Sequence, residues 1–384
     1  MKEAVIVSAV RTTVGRAKRG SLVHVRPEDL GVTVIQELMK RSPEVKPEMV
    51  DDVVIGCAMP EGAQGMNLGR VVASMAGLPD SVPGITVNRF CSSGLQTIAY
   101  AGMEVMTGMS DVIIAGGIES MSSVPMGGFT FTSHPRAARE MVKIYTPMGN
   151  TAELVAQQFN ISREDQDTYA YNSHMKAVKA WDAGVYDEET IKMPYLDAKG
   201  NQKFLERDEA MRADTTVEGL AKLRPVFSLT GSVTAGNSSP INDGAAVVMI
   251  MSADKAKELG CKPMAYFRDF QVAGVAPEIM GVGPAAVIPK LWAHSGLTDA
   301  EIGVYEINEA FASQAKYCVD KLEIDPAKVN VNGGAIALGH PLGCTGAKLT
   351  TSIIHQMRRT NTKYGVVSMC IGGGMGAAGL FELA

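Results

Sequence analysis

Two segments in matching places of the two halves of the chain carry residues that could do covalent chemistry. Cys91 follows the strand-like run 84–87 and precedes Ser92-Ser93-Gly94, which opens a helix-like run. His340 lies in Gly339-His340-Pro341, where glycine and proline favour a rigid loop. A cysteine attacks as the thiolate, which a nearby base and a helix N-terminus both favour. The pattern indicates thioester chemistry on Cys91, against the alternative that this thiol is only a small buried hydrophobe.

Two further reactive residues end strand-like runs in the second half. Cys370 precedes Ile371 and the glycines 372–374, where backbone amides are free to face an anion. Its thiol could act as a general acid and base. Asn308 could hold a water or a carbonyl oxygen, or it could cap the following helix. The remaining candidates are interpreted as structural: Cys344, His24, His134, His174, His294 and His355.

The elements that must position these residues occur twice. A helix pattern that runs through Met106 is followed by the buried strand 111–117, predicted to end in glycines. In the second half, a helix pattern through Met357 is followed by the strand 364–370. Upstream, the runs 30–39 and 52–57 correspond to 285–292 and 303–308. The sequence therefore predicts an α/β fold of two similar halves.

One half contains an insertion. The second half closes at once with a final strand over 374–383, whereas its first-half counterpart, about 244–252, comes much later in the chain. We therefore predict an N-terminal core half over 1–118, completed by the strand at about 244–252. The segment 119–243 is predicted to form a separate loop domain, and 253–384 the C-terminal core half.

The composition is typical of a soluble enzyme with more than one lobe. The 384 residues exceed the size at which a single core stops growing. Hydrophobic residues make up 46% and charged residues 20%, with 40 glycines, which suits apolar parallel strands joined by tight turns. A net charge of -5 gives no sign of a nucleic-acid surface.

Three features concern the compartment in which the protein works. A strand pattern begins at Ala4, which leaves no room for a leader peptide. No apolar stretch is long enough to cross a bilayer, so we expect no stable membrane insertion. The six cysteines form neither a paired framework nor a CxxC unit, which favours reduced thiols. The expected location is the cytoplasm.

Four motifs together resemble the thiolase family over the whole chain. They are Val87-Asn88-Arg89-Phe90-Cys91-Ser92-Ser93-Gly94, Asn308-Glu309-Ala310-Phe311, Gly339-His340-Pro341 and Cys370-Ile371-Gly372. The start of the chain, 4–12, is similar to that family too. The resemblance implies a thiolase fold with five layers, α/β/α/β/α, made of two similar halves with an inserted loop domain.

The resemblance also implies a reaction, the reversible thiolysis of a 3-ketoacyl-CoA by CoA through an acyl-cysteine. In that reaction Cys91 is the nucleophile, His340 the base that takes its proton, and Cys370 the acid and base for acetyl-CoA and CoA. Two oxyanion sites are implied. One consists of His340 with a water held by Asn308, and the other of the backbone amides of Cys91 and Gly372.

CoA is then the co-substrate, with no permanently bound cofactor and no metal. The resemblance places Arg212 of the loop domain near the nucleotide, Phe227 against the pantetheine and Ser239 as a hydrogen-bond partner of the pantetheine. Met148, where the loop domain reaches the acyl pocket, and Phe311 complete the expected substrate contacts.

Two departures from the biosynthetic members of the family bear on the substrate. This chain has Pro147-Met148-Gly149 in place of His-Met-Gly, and Cys91-Ser92-Ser93-Gly94 in place of Cys-Ala-Ser-Gly. Both favour an acetyl-CoA C-acyltransferase of fatty acid β-oxidation, acting on chains longer than acetoacetyl-CoA. The alternatives are an acetyl-CoA acetyltransferase that forms acetoacetyl-CoA and a non-catalytic acyl-CoA or lipid carrier. A decarboxylating ketosynthase is disfavoured because Cys370 stands where a second histidine is expected.

The expected partners are CoA and acyl-CoA, without nucleic acid. We expect a homodimer or a homotetramer, and a multienzyme partner of β-oxidation is left open.

Overall fold

The computed structural model describes residues 1–384. Its helices and strands alternate along both halves of the chain. The strands are β1 (Ala4–Thr12), β2 (Gly15–Arg16), β3 (Asp52–Gly56), β4 (Ile85–Val87), β5 (Val112–Ser120), β6 (Thr190–Ile191), β7 (Met193–Leu196), β8 (Gln202–Leu205), β9 (Asn242–Ser252), β10 (Ala265–Gly274), β11 (Val304–Ile307), β12 (Tyr364–Ile371) and β13 (Met375–Leu383).

The α-helices are α1 (Pro27–Arg41), α2 (Leu68–Met75), α3 (Ser93–Thr107), α4 (Pro135–Glu140), α5 (Met148–Gln158), α6 (Arg163–Asp182), α7 (Val217–Ala221), α8 (Ala253–Leu259), α9 (Gly283–Ser295), α10 (Ala312–Leu322), α11 (Ala335–Leu338) and α12 (Leu342–Thr360). Short 3₁₀ helices cover Pro47–Met49, Gly62–Gln64, Phe90–Ser92, Val142–Tyr145, Pro277–Val282, Asp299–Glu301 and Pro326–Lys328.

The sheet repeats the same pairing in each half. Its order is β11-β12-β13-β10-β1-β9-β5-β3-β4. In the first half β3 pairs parallel with β5, and the pairs β5–β9 and β9–β1 are antiparallel. In the second half β11–β12 is parallel, and β12–β13 and β13–β10 are antiparallel. The halves meet where β1 and β10 pair through Val5 with Tyr266 and Ile6 with Ala265. The predicted repeat is present in the structure.

Alternating strand residues divide the core into inner and outer layers, as the period of two in a strand requires. Val54 and Ile113 belong to an inner cluster that also contains residues of α3 and α12. Val53 and Ile114 belong to an outer cluster with α1 and α2. In the second half, α9 and α10 cover the outer face of β11, β12 and β13. The layers are therefore helix, sheet, helix, sheet, helix, with α3 and α12 in the middle.

The inner helices approach the sheets closely, and this explains one glycine, Gly117, that the sequence leads one to misread. The prediction that the strand 111–117 ends in glycines is wrong, because β5 continues through Gly116 and Gly117 to Ser120. A Cβ at Gly117 would lie 2.0 Å from the carbonyl oxygen of Gly343 in α12. The glycine therefore allows close backbone packing inside the strand.

The segment between β5 and β9 contains α4 to α7 and the hairpin of β7 and β8. It is joined to the core by β6, which pairs parallel with β1. Arg11 of β1 is buried and forms ion pairs with Glu189 (2.6 Å) and Asp208 (2.9 Å) of this segment. Loss of one partner of such a buried pair costs about 3–5 kcal/mol. None of the helices combines the length and the apolar character needed to cross a bilayer.

Candidate active site

Cys91 lies on a short 3₁₀ turn that joins β4 to α3. Two polar side chains of its motif hold this turn. Asn88 accepts from the N–H of Phe90 (2.8 Å) and donates to the carbonyl of Ala58 (3.0 Å). Ser93 accepts from the N–H of Arg89 (2.9 Å) and donates to the carbonyl of Phe90 (2.7 Å). These bonds keep Phe90 at a φ of 44°, an uncommon value that presents the next residue to the site.

The Cys91 thiol is buried, with 2% of the residue exposed. Burial raises the pKa of Cys91 to about 11, although the backbone amides of Gly372 and of Cys91 itself lower it; the charge of Glu119 raises it further. The helix start alone therefore does not give a thiolate in the resting site, because desolvation outweighs the amides. Cys91 rests as a thiol and needs a base.

His340 lies in the short loop between α11 and α12, as predicted. The backbone N–H of His340 donates to Oδ1 of Asn242 (2.9 Å). Its Nδ1 lies 2.6 Å from Oγ1 of Thr345, and that hydroxyl donates to the carbonyl of Pro341 (2.9 Å). Because the hydroxyl proton is engaged, Thr345 accepts from Nδ1–H. The proton is therefore on Nδ1, and Nε2 has a free lone pair.

The Nε2 atom of His340 faces the site as a neutral base. Nδ2 of Asn308 lies 3.3 Å from it and can donate to its lone pair. Burial lowers the pKa of His340 to about 3, and the positive charge of Lys348 lowers it further. The imidazole therefore rests neutral, and it can accept a proton from Cys91 only as charge develops on the substrate.

Asn308 follows β11, and its N–H donates to the carbonyl of Ser368 (2.9 Å). Phe311, not Asn308, occupies the N-cap of α10, so the capping alternative is wrong. Oδ1 of Asn308 is buried and has no hydrogen-bond partner within the protein. An unsatisfied buried acceptor costs about 1–3 kcal/mol, which a water or a substrate donor at this position would recover.

Cys370 lies near the end of β12, opposite Gly376 of β13. It is fully buried among Met148, Ala152, Met280 and Phe311. Burial raises the pKa of Cys370 well above its ordinary value, and charge on Cys91 raises it further. The two thiols are therefore coupled, so that a thiolate on one disfavours a thiolate on the other.

A cavity of about 320 Å³ opens between the inserted segment and the core. Arg212, which is predicted to lie near the nucleotide, lines this cavity. Arg16, His174 and Ser238 also line it, and sequence reasoning did not assign them to the substrate. Burial, together with the charge of Arg212, lowers the pKa of His174 to about 4. The neutral ring accepts from the N–H of Arg212 (3.3 Å) and so holds this segment.

Neither of the other two residues expected to contact CoA, Phe227 and Ser239, lines this cavity. Phe227 is 39% exposed and packs edge to face on Phe311, with ring centroids 6.0 Å apart. Ser238, rather than Ser239, lines the cavity, and the N–H of Ser239 donates to the carbonyl of Ala310 (3.0 Å). Ile336 of α11 also lines the cavity and connects it to the loop of His340. The assignment of Ser239 to the pantetheine stays a prediction.

The predicted reactive residues come from four separate segments, and Cys91 shares an apolar cluster with Leu342, two residues after His340. Direct contacts join His340 to Asn308, the amide of Gly372 faces Cys91, and the charge coupling joins Cys91 to Cys370. No group of three or more His, Cys, Asp or Glu side chains could hold a metal ion. All six cysteines are free. The arrangement can remove a proton from the Cys91 thiol and stabilise the oxyanion on the carbon that this sulfur attacks. The Cys370 thiol can supply a second acid.

The chain matches two family models that together cover nearly its whole length. The thiolase N-terminal domain matches residues 4–254, and the thiolase C-terminal domain matches residues 261–383. The chain is 53% identical to the 3-ketoacyl-CoA thiolase of Bacillus subtilis, with 100% of both chains covered. It is 44% identical to the 3-ketoacyl-CoA thiolase of Idiomarina loihiensis, again with 100% of both chains covered.

Among solved structures, the chain is similar to the acetyl-CoA acetyltransferase of Bacillus anthracis. The TM-score is 0.92 at 41% identity, with 100% of this chain and 99% of that chain covered. The five-layered fold predicted from the motifs is therefore confirmed. With both domain models and full-length relatives in agreement, the chain belongs to the thiolase family.

Proposed function

We propose that the protein is an acetyl-CoA C-acyltransferase, a 3-ketoacyl-CoA thiolase of fatty acid β-oxidation. It cleaves a 3-ketoacyl-CoA with CoA to acetyl-CoA and a shortened acyl-CoA. The observation that carries this proposal is the buried thiol of Cys91 beside the amide of Gly372, in one apolar cluster with Leu342, which lies two residues after the neutral imidazole of His340. The full-length relatives named 3-ketoacyl-CoA thiolase support it.

The first half-reaction moves the acyl group onto the enzyme. Nε2 of His340 takes the Cys91 proton as Sγ bonds to C3 of the substrate, and the amides of Cys91 and Gly372 receive the oxyanion on C3. The C2–C3 bond then breaks, and its electron pair passes to the acetyl-CoA enolate. His340, now protonated at Nε2, and a water held by Asn308 stabilise that enolate, and the Cys370 thiol protonates C2.

The second half-reaction restores both thiols. The Cys370 thiolate takes the proton of incoming CoA, whose sulfur attacks the acyl carbon on Cys91. The Cys91 sulfur leaves as a thiolate and recovers its proton from His340. No proton is gained or lost over the cycle. Each donor of an oxyanion site of this kind contributes about 3 kcal/mol of barrier lowering.

Chains longer than acetoacetyl-CoA are proposed as substrates. Met148, Ala152, Met280 and Phe311 form an apolar surface around Cys370, which suits additional methylenes. The acetyl-CoA acetyltransferase of Bacillus anthracis supports the alternative, formation of acetoacetyl-CoA. The direction of the reaction and the acyl length distinguish the two.

CoA is proposed to bind along the cavity beside the inserted segment, which acts as the loop domain over 119–243. Arg212 and Arg16 provide the positive charge that the phosphates need, while Phe227 and Ser239 contact the pantetheine. Met148 and Phe311 line the path from there to the acyl chain.

A homodimer is proposed on the strength of the sheet edge. β4 ends the sheet and pairs only with β3. Around it Ile85, Met75, Tyr100 and Met103 expose 40–51% of their surface. An edge strand flanked by exposed apolar side chains is a template for pairing with a second copy. A homotetramer, or a complex with a multienzyme partner, would need a second interface elsewhere on the surface. We propose the cytoplasm as the location of the protein.

The proposed function is tested by the fate of the acyl group. Incubation with a 3-ketoacyl-CoA should add the mass of the shortened acyl group to the protein, and peptide mapping should place it on Cys91. Cys91→Ser should abolish turnover and retain the fold, because a serine hydroxyl is far harder to ionise. An acyl group mapped to Cys370 or Cys344 would overturn the assignment, and a protein that binds acyl-CoA without acylation would indicate the carrier.

A further inference from the structure

A buried carboxylate lies beside the site, and none of the proposed steps uses it. Glu119 is the second-last residue of β5 and is fully buried. Oε2 accepts from the N–H groups of Ala58 (2.7 Å) and Gly343 (2.8 Å), and Oε1 accepts from Nε2 of Gln64 (2.7 Å). All these partners are donors, so both oxygens act as acceptors, and these hydrogen bonds favour the ionised carboxylate against the burial that raises the pKa of Glu119.

This one carboxylate connects the segments that carry the nucleophile and the base. Gly343 is the second residue of α12, three positions after His340. Ala58 accepts from the side chain of Asn88, which holds the turn of Cys91. The carboxylate also packs directly against the backbone of Gly343, since a Cβ at this position would lie 2.7 Å from Oε2 of Glu119. Movement of Glu119 would therefore shift both catalytic segments.

The internal repeat gives Glu119 a counterpart in the second half. The last residue of β3, Gly56, pairs with Gly117 of β5, and the last residue of β11, Ile307, pairs with Ser368 of β12. Two positions after Gly117 is Glu119, and two positions after Ser368 is Cys370. The site therefore has an ionised acid at the position that corresponds to its second thiol.

The next position repeats the correspondence. Cys57 follows β3 as Asn308 follows β11, and Sγ of Cys57 lies 3.8 Å from Oε1 of Glu119. The pair of Cys57 and Glu119 in the first half thus corresponds to the pair of Asn308 and Cys370 in the second.

No cation offsets the charge of Glu119 at close range. Its partners are backbone amides, an amide side chain and a thiol. Cys91 packs in one apolar cluster with Ala58, whose N–H binds Glu119, and with Leu342, the neighbour of Gly343. Burial raises the pKa of the Cys91 thiol, and the negative charge of Glu119 raises it further. The other titratable groups around Cys91 are Cys370 from β12 and His340 from the loop before α12, and these two are neutral at rest.

We propose that Glu119 is a positioning residue for thiolysis, fixing α12 and His340 to the segment of Cys91, and that its charge adds to burial in favouring the thiol form of Cys91 until His340 removes the proton. The role in thiolysis rests on the proposed function. The effect on protonation does not, because it concerns the free thiol and can be measured without turnover.

The experiment compares Glu119→Gln, which removes the charge, with Glu119→Asp, which keeps the charge and shortens the reach. Asp51→Asn is the matched control, because Asp51 accepts from the N–H groups of Asp111 (2.7 Å) and Val112 (2.9 Å) at the opposite end of β5. The readouts are the pH dependence of Cys91 alkylation by iodoacetamide, located by peptide mapping, and kcat for thiolysis. Melting curves check the fold.

In Glu119→Gln, we expect the midpoint of Cys91 alkylation to fall by about one pH unit, as removal of a nearby unit charge implies. In Glu119→Asp the midpoint should stay in place while kcat falls by about tenfold or more, as misplacement of a catalytic group implies. Asp51→Asn should change neither readout.

An unchanged midpoint in Glu119→Gln would overturn the electrostatic part. Wild-type kcat in Glu119→Asp would overturn the positioning part, and it decides that part even if Glu119→Gln does not fold. In a Glu119 variant, a loss of kcat with normal acylation of Cys91 by substrate would contradict the positioning of the two catalytic segments. The proposed function would still stand, because the acyl group would still form on Cys91.

Discussion

The hydroxyl of Thr345 should decide whether His340 can act as a base. This side chain is fully buried, accepts from Nδ1–H of His340 at 2.6 Å and donates to Pro341 at 2.9 Å. Thr345→Val keeps the shape of the side chain and removes the only group that fixes the proton on Nδ1. The variant therefore tests the tautomer directly.

The expected loss follows from what the imidazole can do without that partner. If the proton stays on Nδ1, a buried donor is left unsatisfied at a cost of about 1–3 kcal/mol. If the proton moves to Nε2, that atom loses its lone pair and cannot accept the proton of Cys91. In that case Asn308 would also have to turn its amide, because its Nδ2 now faces the Nε2 lone pair. Either outcome weakens the base.

At 1.4 kcal/mol for each factor of ten, kcat/KM should fall by about 5- to 150-fold. Steady-state thiolysis gives kcat/KM, and the rate of Cys91 acylation in a single turnover isolates the first half-reaction. Thr345→Ser retains the hydroxyl and should recover most of the activity. A Thr345→Val enzyme within twofold of the wild type, with the same acylation rate, would refute the assignment of the proton to Nδ1.

Three further predictions concern the second thiol, the substrate and the pH profile. Cys370→Ala should still acylate Cys91 slowly but should stall proton exchange at the acetyl methyl group of acetyl-CoA, and wild-type exchange rates would remove Cys370 from the mechanism. The specificity constant kcat/KM should rise by roughly tenfold from a four-carbon to a six-carbon 3-ketoacyl-CoA, since each methylene buried near Met148 contributes about 0.8 kcal/mol. A steady fall from four carbons upward would favour acetoacetyl-CoA formation. With the pKa of His340 lowered to about 3 and that of Cys91 raised to about 11, the neutral pair persists between these values, so neither group should give an inflection in kcat/KM between pH 5 and 9. An acid limb near pH 6.5 that disappears in His340→Asn would contradict this.

The reactive residues could be predicted from the sequence because their motifs combine reactive side chains with local turn signals. Cys91 and Cys370 stand where strand patterns stop, and Pro341 with its flanking glycine keeps His340 in a loop. Such signals depend on neighbours in sequence, and the structure accordingly has Cys91 on a short turn and His340 in a loop. The repeat was visible for the same reason, since each half has its own pattern of helix and strand.

What the sequence did not indicate depends on contacts between distant segments. Arg16 reaches the cavity proposed for CoA only because β2 pairs with β9, which places it beside the inserted segment. Gly117 looked like a strand end because its role is to admit α12 from the other half. The direction of the Cys91 pKa shift likewise depends on burial, which is a property of the whole fold.

The junction between the halves has a consequence for how the chain reaches its native state. β1 and β10 share only two residue pairs, so most of the contact between the halves comes from the apolar cluster around α3 and α12. Before docking, each half exposes one of these helices and the inner face of its sheet, which is the kind of surface that aggregates. Docking of the halves is therefore the step at which folding competes with association between chains, and only that step brings Cys91 of the first half to Asn308, His340 and Cys370 of the second.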